Sequence, residues 1–196
     1  MKSNDKDARE RIIEVTLNLL NEVDDIEEIT VRKIAERANV GVGLINYHFK
    51  TKDNLFSTAI GDVMSNIIAE LYDDSVYTLR PIEDLKNLLK KLCDTGLHYE
   101  KVLPFVLNQC ITNGDMQAEL DIVPMLRKIF GNKKDEMSLR IIALQIILPI
   151  QISALSTESF QLYSGINIKN KYERDKFIDI LIENIIGEDV DVRWKL

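Results

Sequence analysis

Apolar residues recur every three or four positions along most of this chain, and few turn residues interrupt them. Ile12, Ile13, Thr16, Leu17, Leu20 and Val23 share one side of a helix predicted over 7–23, with Asp7 and Glu10 spaced as an N-terminal cap. The acidic run "DDIEE" at 24–28 reads as a linker or as the frayed end of that helix. Thr30 precedes a short helix over 31–38 whose Ile34 and Ala38 face inward, and "NVG" at 39–41 breaks the pattern. A second short helix follows over about 42–48. Thr51 caps a long fourth helix, with Asp53 in the first turn where the helix dipole favours a carboxylate. Its apolar pairs run from Leu55/Phe56 through Ala59/Ile60, Val63/Met64 and Ile67/Ile68 to Leu71/Tyr72.

Asp73 to Arg80 is polar and turn-like, and Pro81 suits the first turn of a new helix. Helices are predicted over about 82–100, 103–112, 116–130, 134–162 and 172–187, with Gly114, Gly131, Gly165 and Gly187 as stops. The expected fold is all-α, and 4 prolines and 8 glycines in 196 residues agree with it. The apolar stretch "LRIIALQIILPIQISAL" (139–155) falls short of the roughly 20 residues that a membrane span needs, and it contains Arg140, Gln145, Pro149 and Gln151. Such a segment is expected to lie buried between other helices, so no membrane partner is expected.

Charge narrows the function. The net charge of −7 excludes a uniformly basic coat for nucleic acid, but residues 29–55 hold five Lys/Arg (Arg32, Lys33, Arg37, Lys50, Lys52) against two acids. Cys93 and Cys110 stand far apart, as in a reducing compartment, and the polar N-terminus is no secretory signal, so a cytoplasmic protein is expected. No nucleophile elbow, phosphate loop, HExxH or dinucleotide fingerprint is present. No catalytic residue and no cofactor are expected. His98 and Tyr99 could line a ligand pocket, and His98 with a cysteine could bind a metal, but the spacing matches no zinc site.

The basic window has the form of a helix-turn-helix. Ala35 lets two short helices cross closely, Asn39 tolerates positive φ at the turn, and Ile34, Val40, Ile45 and Phe49 bury under the corner. The second helix then presents its outer face to a major groove. Gly41 and Gly43 admit close approach of a sugar-phosphate backbone, Val42 offers apolar contact to a thymine methyl, and Asn46 can pair with adenine. Tyr47, His48, Lys52, Thr30 and Arg32 are placed to contact phosphates. The alternative for Tyr47 and His48 is simple packing, which suits neither on so short a helix.

The segment "ITVRKIAERANVGVGLINYHFKTKDNLF" (29–56) resembles the DNA-binding motif of the tetracycline-repressor family, and the resemblance covers roughly residues 8–60. It implies a DNA-binding domain over 1–52, a connecting helix at 53–72, and a helical ligand-binding and dimerisation domain over 73–196. Carried over, the DNA contacts are Thr30, Arg32, Gly41, Val42, Gly43, Asn46, Tyr47, His48 and Lys52. The chain departs from the family pattern at Asn39, where glycine is common, at Gly41, near which a hydroxyl residue is common, and at Asn46, where tyrosine is common. Base preference therefore does not transfer.

The implied partners are a double-stranded DNA operator, a second copy of the chain packed through the last two long helices, and a small-molecule effector. Ligand residues remain unassigned within 80–165, whose apolar bias suggests a partly hydrophobic molecule. A ligand-independent DNA-binding module, or a helical enzyme that retains the module, are the rival readings. For the last helix, the pairs Phe177/Ile178, Leu181/Ile182 and Ile185/Ile186 suit either an internal core or a dimer interface.

Overall fold

The computed structural model describes residues 2–23, 25–72 and 80–187. Among these residues there are ten α-helices and no strand: α1 (Lys2–Glu22), α2 (Val31–Ala38), α3 (Val42–Phe49), α4 (Lys52–Tyr72), α5 (Pro81–His98), α6 (Leu103–Asn113), α7 (Gln117–Phe130), α8 (Glu136–Leu155), α9 (Thr157–Ser164) and α10 (Lys171–Ile186). The turn expected over Asp73–Arg80 lies, but for Arg80, outside the described residues.

Side-chain chemistry fixes several boundaries. The Thr30 hydroxyl accepts the Lys33 N–H at 3.1 Å, and the Thr51 hydroxyl accepts the Asn54 N–H at 3.0 Å. Asp135 and Asn170 cap α8 and α10 in the same way. Gly114 and Gly165 take left-handed φ after α6 and α9, where a Cβ would be strained.

Two expectations fail, and the stretch read as a linker holds a short helical turn. The first helix begins at Lys2, because nothing between residues 2 and 7 breaks it, so Asp7 and Glu10 are interior rather than capping. Residues 26–28 form a 3-10 turn capped by Asp25, which accepts the Glu27 N–H at 2.9 Å. The helix expected over 134–162 is two: α8 starts at Glu136, and the chain bends at Ser156 (φ −130°, ψ 58°) before α9. Ser156 and Thr157 are both weak helix formers, and the Ser153 hydroxyl donates to the Ile150 carbonyl, a bond that loosens the last turns.

The apolar stretch at 139–155 also differs from expectation. It belongs to a helix of 20 residues that is long and apolar enough to cross a membrane by length and composition. Only one side is buried: Leu139, Ile142, Ala143, Ile146 and Ile147 pack inward, while Met137, Ile141 and Ile152 are exposed. The buried side lies against α6, α7 and α10.

Two apolar clusters organise the helices. One joins α1–α4 and includes Ile12, Leu19, Ile34, Ala35, Ile45, Phe49, Leu55 and Phe56, and Val102 and Val106 of the α6 region enter it. The other gathers Ile67 of α4 with α5, α7, α8 and α10, including Ile178, Ile182 and Ile186. Helix α4 therefore contributes to both, and α6 inserts beside the first while packing on α8. At this junction Gly96 lets α5 close on its neighbours, since a Cβ there would sit 3.3 Å from Leu103 and 3.6 Å from Met64.

A polar seam complements the second cluster. Lys86 of α5, almost buried, donates to Glu183 of α10 at 2.9 Å, and Lys90 pairs with Asp179 at 2.7 Å. Further along, Arg174 pairs with Asp94 and donates to the Ile168 carbonyl at 2.7 Å. Burial pushes the neighbouring Cys93 thiol up to about 12.

Candidate nucleic-acid interface

The corner between α2 and α3 is built from its buried side. Asn39 sits at φ 51°, ψ 51°, and its N–H donates to the Glu36 carbonyl at 3.2 Å. Ile34, Ala35 and Ala38 of α2 meet Ile45 and Phe49 of α3 in the first cluster, with Val40 partly buried against them. Phe49 is 1% exposed, a burial that contributes about 1.5–3 kcal/mol to holding α3 in place. The Arg9 guanidinium lies 5.8 Å from its ring centroid and also pairs with Asp62, linking α1, α3 and α4.

The exit from α3 is sharper than its sequence suggests. Lys50 sits at φ 64°, ψ −50°, and the Thr51 N–H donates to the Phe49 carbonyl at 2.7 Å across it, forming a tight γ-turn. The Asn54 amide donates to the same carbonyl at 2.9 Å. The end of α3 is thus pinned to the first turn of α4.

With Ile45 and Phe49 inward, helical spacing leaves Gly43, Asn46 and Tyr47 on the outer face of α3. Tyr47 is 72% exposed and Val42 40%, a large unsupported apolar surface for so short a helix. His48 is half-buried between Tyr47, edge-on at 5.1 Å, and Phe49, tilted at 5.9 Å. Gly41 is the N-cap and supplies no side-chain bond to the helix start. A Cβ added at Gly41 or Gly43 would meet nothing within 4 Å, so internal packing does not require glycine at either position. Thr30 and Arg32 are exposed at the start of α2, and the Thr30 oxygen already caps that helix.

Lys52 stands slightly apart. Its side chain is 26% exposed, lies 5.5 Å from the Phe56 ring centroid, and reaches Glu27 at 3.5 Å. Glu27 was not singled out from the sequence. It stands 25 residues from Lys52, and no local pattern links them. Arg9 and Asp62, 53 residues apart, are likewise joined only by the fold. Among the described residues no group of three or more His, Cys, Asp or Glu is placed to hold a metal ion.

Comparison with known proteins agrees with this geometry. Residues 12–59 match the profile of the bacterial regulatory proteins of the tetR family. The HTH-type transcriptional regulator BetI of Klebsiella pneumoniae (strain 342) is 36% identical over 59 residues, 30% of either chain. BetI of Cronobacter sakazakii is 35% identical over 74 residues, 38% of this chain and 34% of that one. These matches span about a third of the relatives' length. Two solved structures share the fold over nearly the whole chain. A transcriptional regulator from Rhodococcus sp. Rha1 has a TM-score of 0.57 at 19% identity, covering 94% of this chain and 98% of that one. A Clostridium perfringens regulator has a TM-score of 0.51 at 23% identity, covering 90% and 97%. The N-terminal helix-turn-helix segment is therefore similar to that of the tetR family of bacterial regulatory proteins, and the all-helical fold behind it is shared with the two solved structures.

Proposed function

We propose that the protein is a homodimeric, cytoplasmic transcriptional regulator, a repressor released from a palindromic operator by a small-molecule effector. The observation that carries this reading is the outer face of α3, where two glycines without an internal role stand beside exposed Val42, Asn46 and Tyr47. Such a face suits a major groove: the glycines admit the backbone, Asn46 reads a base edge, and Tyr47, His48, Lys52, Thr30 and Arg32 hold phosphates.

Dimerisation uses α8 and α10. Ile152 and Ile180 are exposed on these helices, beside partly buried Phe177 and Ile185. Two copies joined there form a four-helix seam, the arrangement that wide apolar stripes favour. The paired α3 helices must then stand about 34–36 Å apart to enter successive major grooves. An effector changes that separation through α4, which contributes to both apolar clusters, and α6, which touches the first cluster and packs on α8. It shifts the balance only by its preference for one state.

The test is selection of bound duplexes from random DNA with purified full-length protein. The expected product is a short inverted repeat whose binding weakens steeply with salt. Absence of any enriched palindrome, with and without metabolite mixtures, would overturn this reading.

A further inference from the structure

Helices α7 and α8 enclose between them an open groove of about 730 Å³. Its walls are almost entirely apolar, from Met116, Leu120 and Val123 on one side and Met137, Ile141 and Leu144 on the other. Three charged residues, Glu119, Glu136 and Arg140, interrupt this lining, and Glu119 differs from the other two. Glu119 is 6% exposed, and its Oε2 is buried without a hydrogen-bond partner. A carboxylate in that position costs free energy unless something pairs with it. Burial pushes the Glu119 carboxyl above the ordinary range, and Asp115 and Asp121 on either side push it further. Arg140 also borders the groove, but it bonds to Glu136, which is held by Arg127 as well, so that charge is spent within α7 and α8.

We propose that this groove is an effector site for a lipophilic ammonium ion, with the ammonium group on Glu119 and the alkyl body along the α7/α8 wall. The chemistry fixes the class. The walls supply no polar partners along most of the groove, so the ligand body is apolar. The unpartnered group is an acid with two further acids nearby, so the head donates hydrogen bonds and carries positive charge. An anionic amphiphile of the same length meets repulsion at that point. This assignment rests on the effector-responsive reading above for its biological role, but the site itself does not depend on DNA binding.

The experiment is calorimetric titration of the full-length protein, without DNA, with decylammonium, decanol and decanoate, each kept monomeric. Decylammonium should bind at least about tenfold more tightly than decanoate, the gain expected from one charge-assisted pair. Glu119→Gln should abolish that preference. It removes a buried charge with no partner, so the variant should melt at or above the wild-type temperature, which separates lost binding from lost fold. Leu120→Trp, which fills the groove, should weaken all three probes alike. Affinity for decylammonium should rise with pH as Glu119 ionises. The other titratable groups around Glu119 are Cys110 of α6, Asp115, Asp121 of α7, and Glu136 with Arg140 of α8. Equal affinity for decylammonium and decanoate, or unchanged decylammonium binding in Glu119→Gln, would overturn the proposal, as would no binding of any probe. Protein that binds decylammonium yet selects no DNA would sink the proposed function and leave this site standing.

Discussion

The Val40 N–H donates to the Ala35 carbonyl at 3.0 Å, closing the turn that sets α3 across α2. The bond spans Asn39, whose left-handed backbone makes it possible. Asn39→Gly should therefore leave stability within about 1 kcal/mol of wild type, because glycine takes that conformation without strain. Asn39→Val should cost about 1–2 kcal/mol, since a β-branched residue resists it. Urea unfolding of both variants at equal m-value checks the pair. A valine variant as stable as the glycine one would show that the turn had moved.

Lys52 is shared between Glu27 and the proposed phosphate. Lys52→Ala should weaken operator binding and lower the salt slope by about 0.9 while leaving the dimer intact. Glu27→Gln frees the ammonium from its exposed partner and should strengthen binding by less than about fivefold. Fluorescence anisotropy over a salt series measures both. An unchanged slope in Lys52→Ala would remove that residue from the contact list.

Asn46 and Tyr47 are neighbours with different expected signatures. Asn46→Ala should relax base preference at one operator position, with a loss of about 1–3 kcal/mol on the preferred sequence. Tyr47→Ala should weaken all sequences about equally. Competition against operators substituted at single positions distinguishes them, and reversed patterns would exchange their roles.

Asp94 carries a pH signature. Burial raises its carboxyl, but hydrogen bonds from Lys171 and Arg174 outweigh it and hold the group below the ordinary value. A depressed carboxyl contributes stability that is complete above its unfolded value of about 3.9 and is lost as pH falls through the folded one. Wild type should therefore lose more stability than Asp94→Asn between pH 6 and pH 3. At pH 7, Asp94→Ala should cost about 2 kcal/mol, because it leaves Arg174 buried with one fewer partner; the exposure of Asp94 keeps the cost below that of a fully buried pair. Urea midpoints across that range would show equal losses if the pair contributed nothing.

The proposed interface is tested by charge. Ile152 and Ile180 are exposed, so Ile152→Asp and Ile180→Asp should leave the monomer's melting behaviour nearly unchanged while splitting the dimer. Light scattering on a sizing column gives the mass directly. A protein that is monomeric before mutation would refute the dimer, and a dimer that survives both changes would place the seam elsewhere.

The sequence by itself determined most of the helices, several of their ends and the corner. Thr30, Asn39, Thr51, Gly114 and Gly165 act on backbone within a few residues of themselves, so their roles are written in local order. The inward set Ile34, Ala35, Ile45 and Phe49 follows from helical period alone. Tertiary structure decided what depends on distant partners. The open side of α8 depends on which helices happen to cover it. The Lys52–Glu27 and Arg174–Asp94 pairs join residues 25 and 80 apart. Glu119 reads in sequence as one acid among many. It becomes distinctive only when burial leaves its oxygen without a partner beside an apolar groove, because a carboxylate's chemistry depends on what surrounds it.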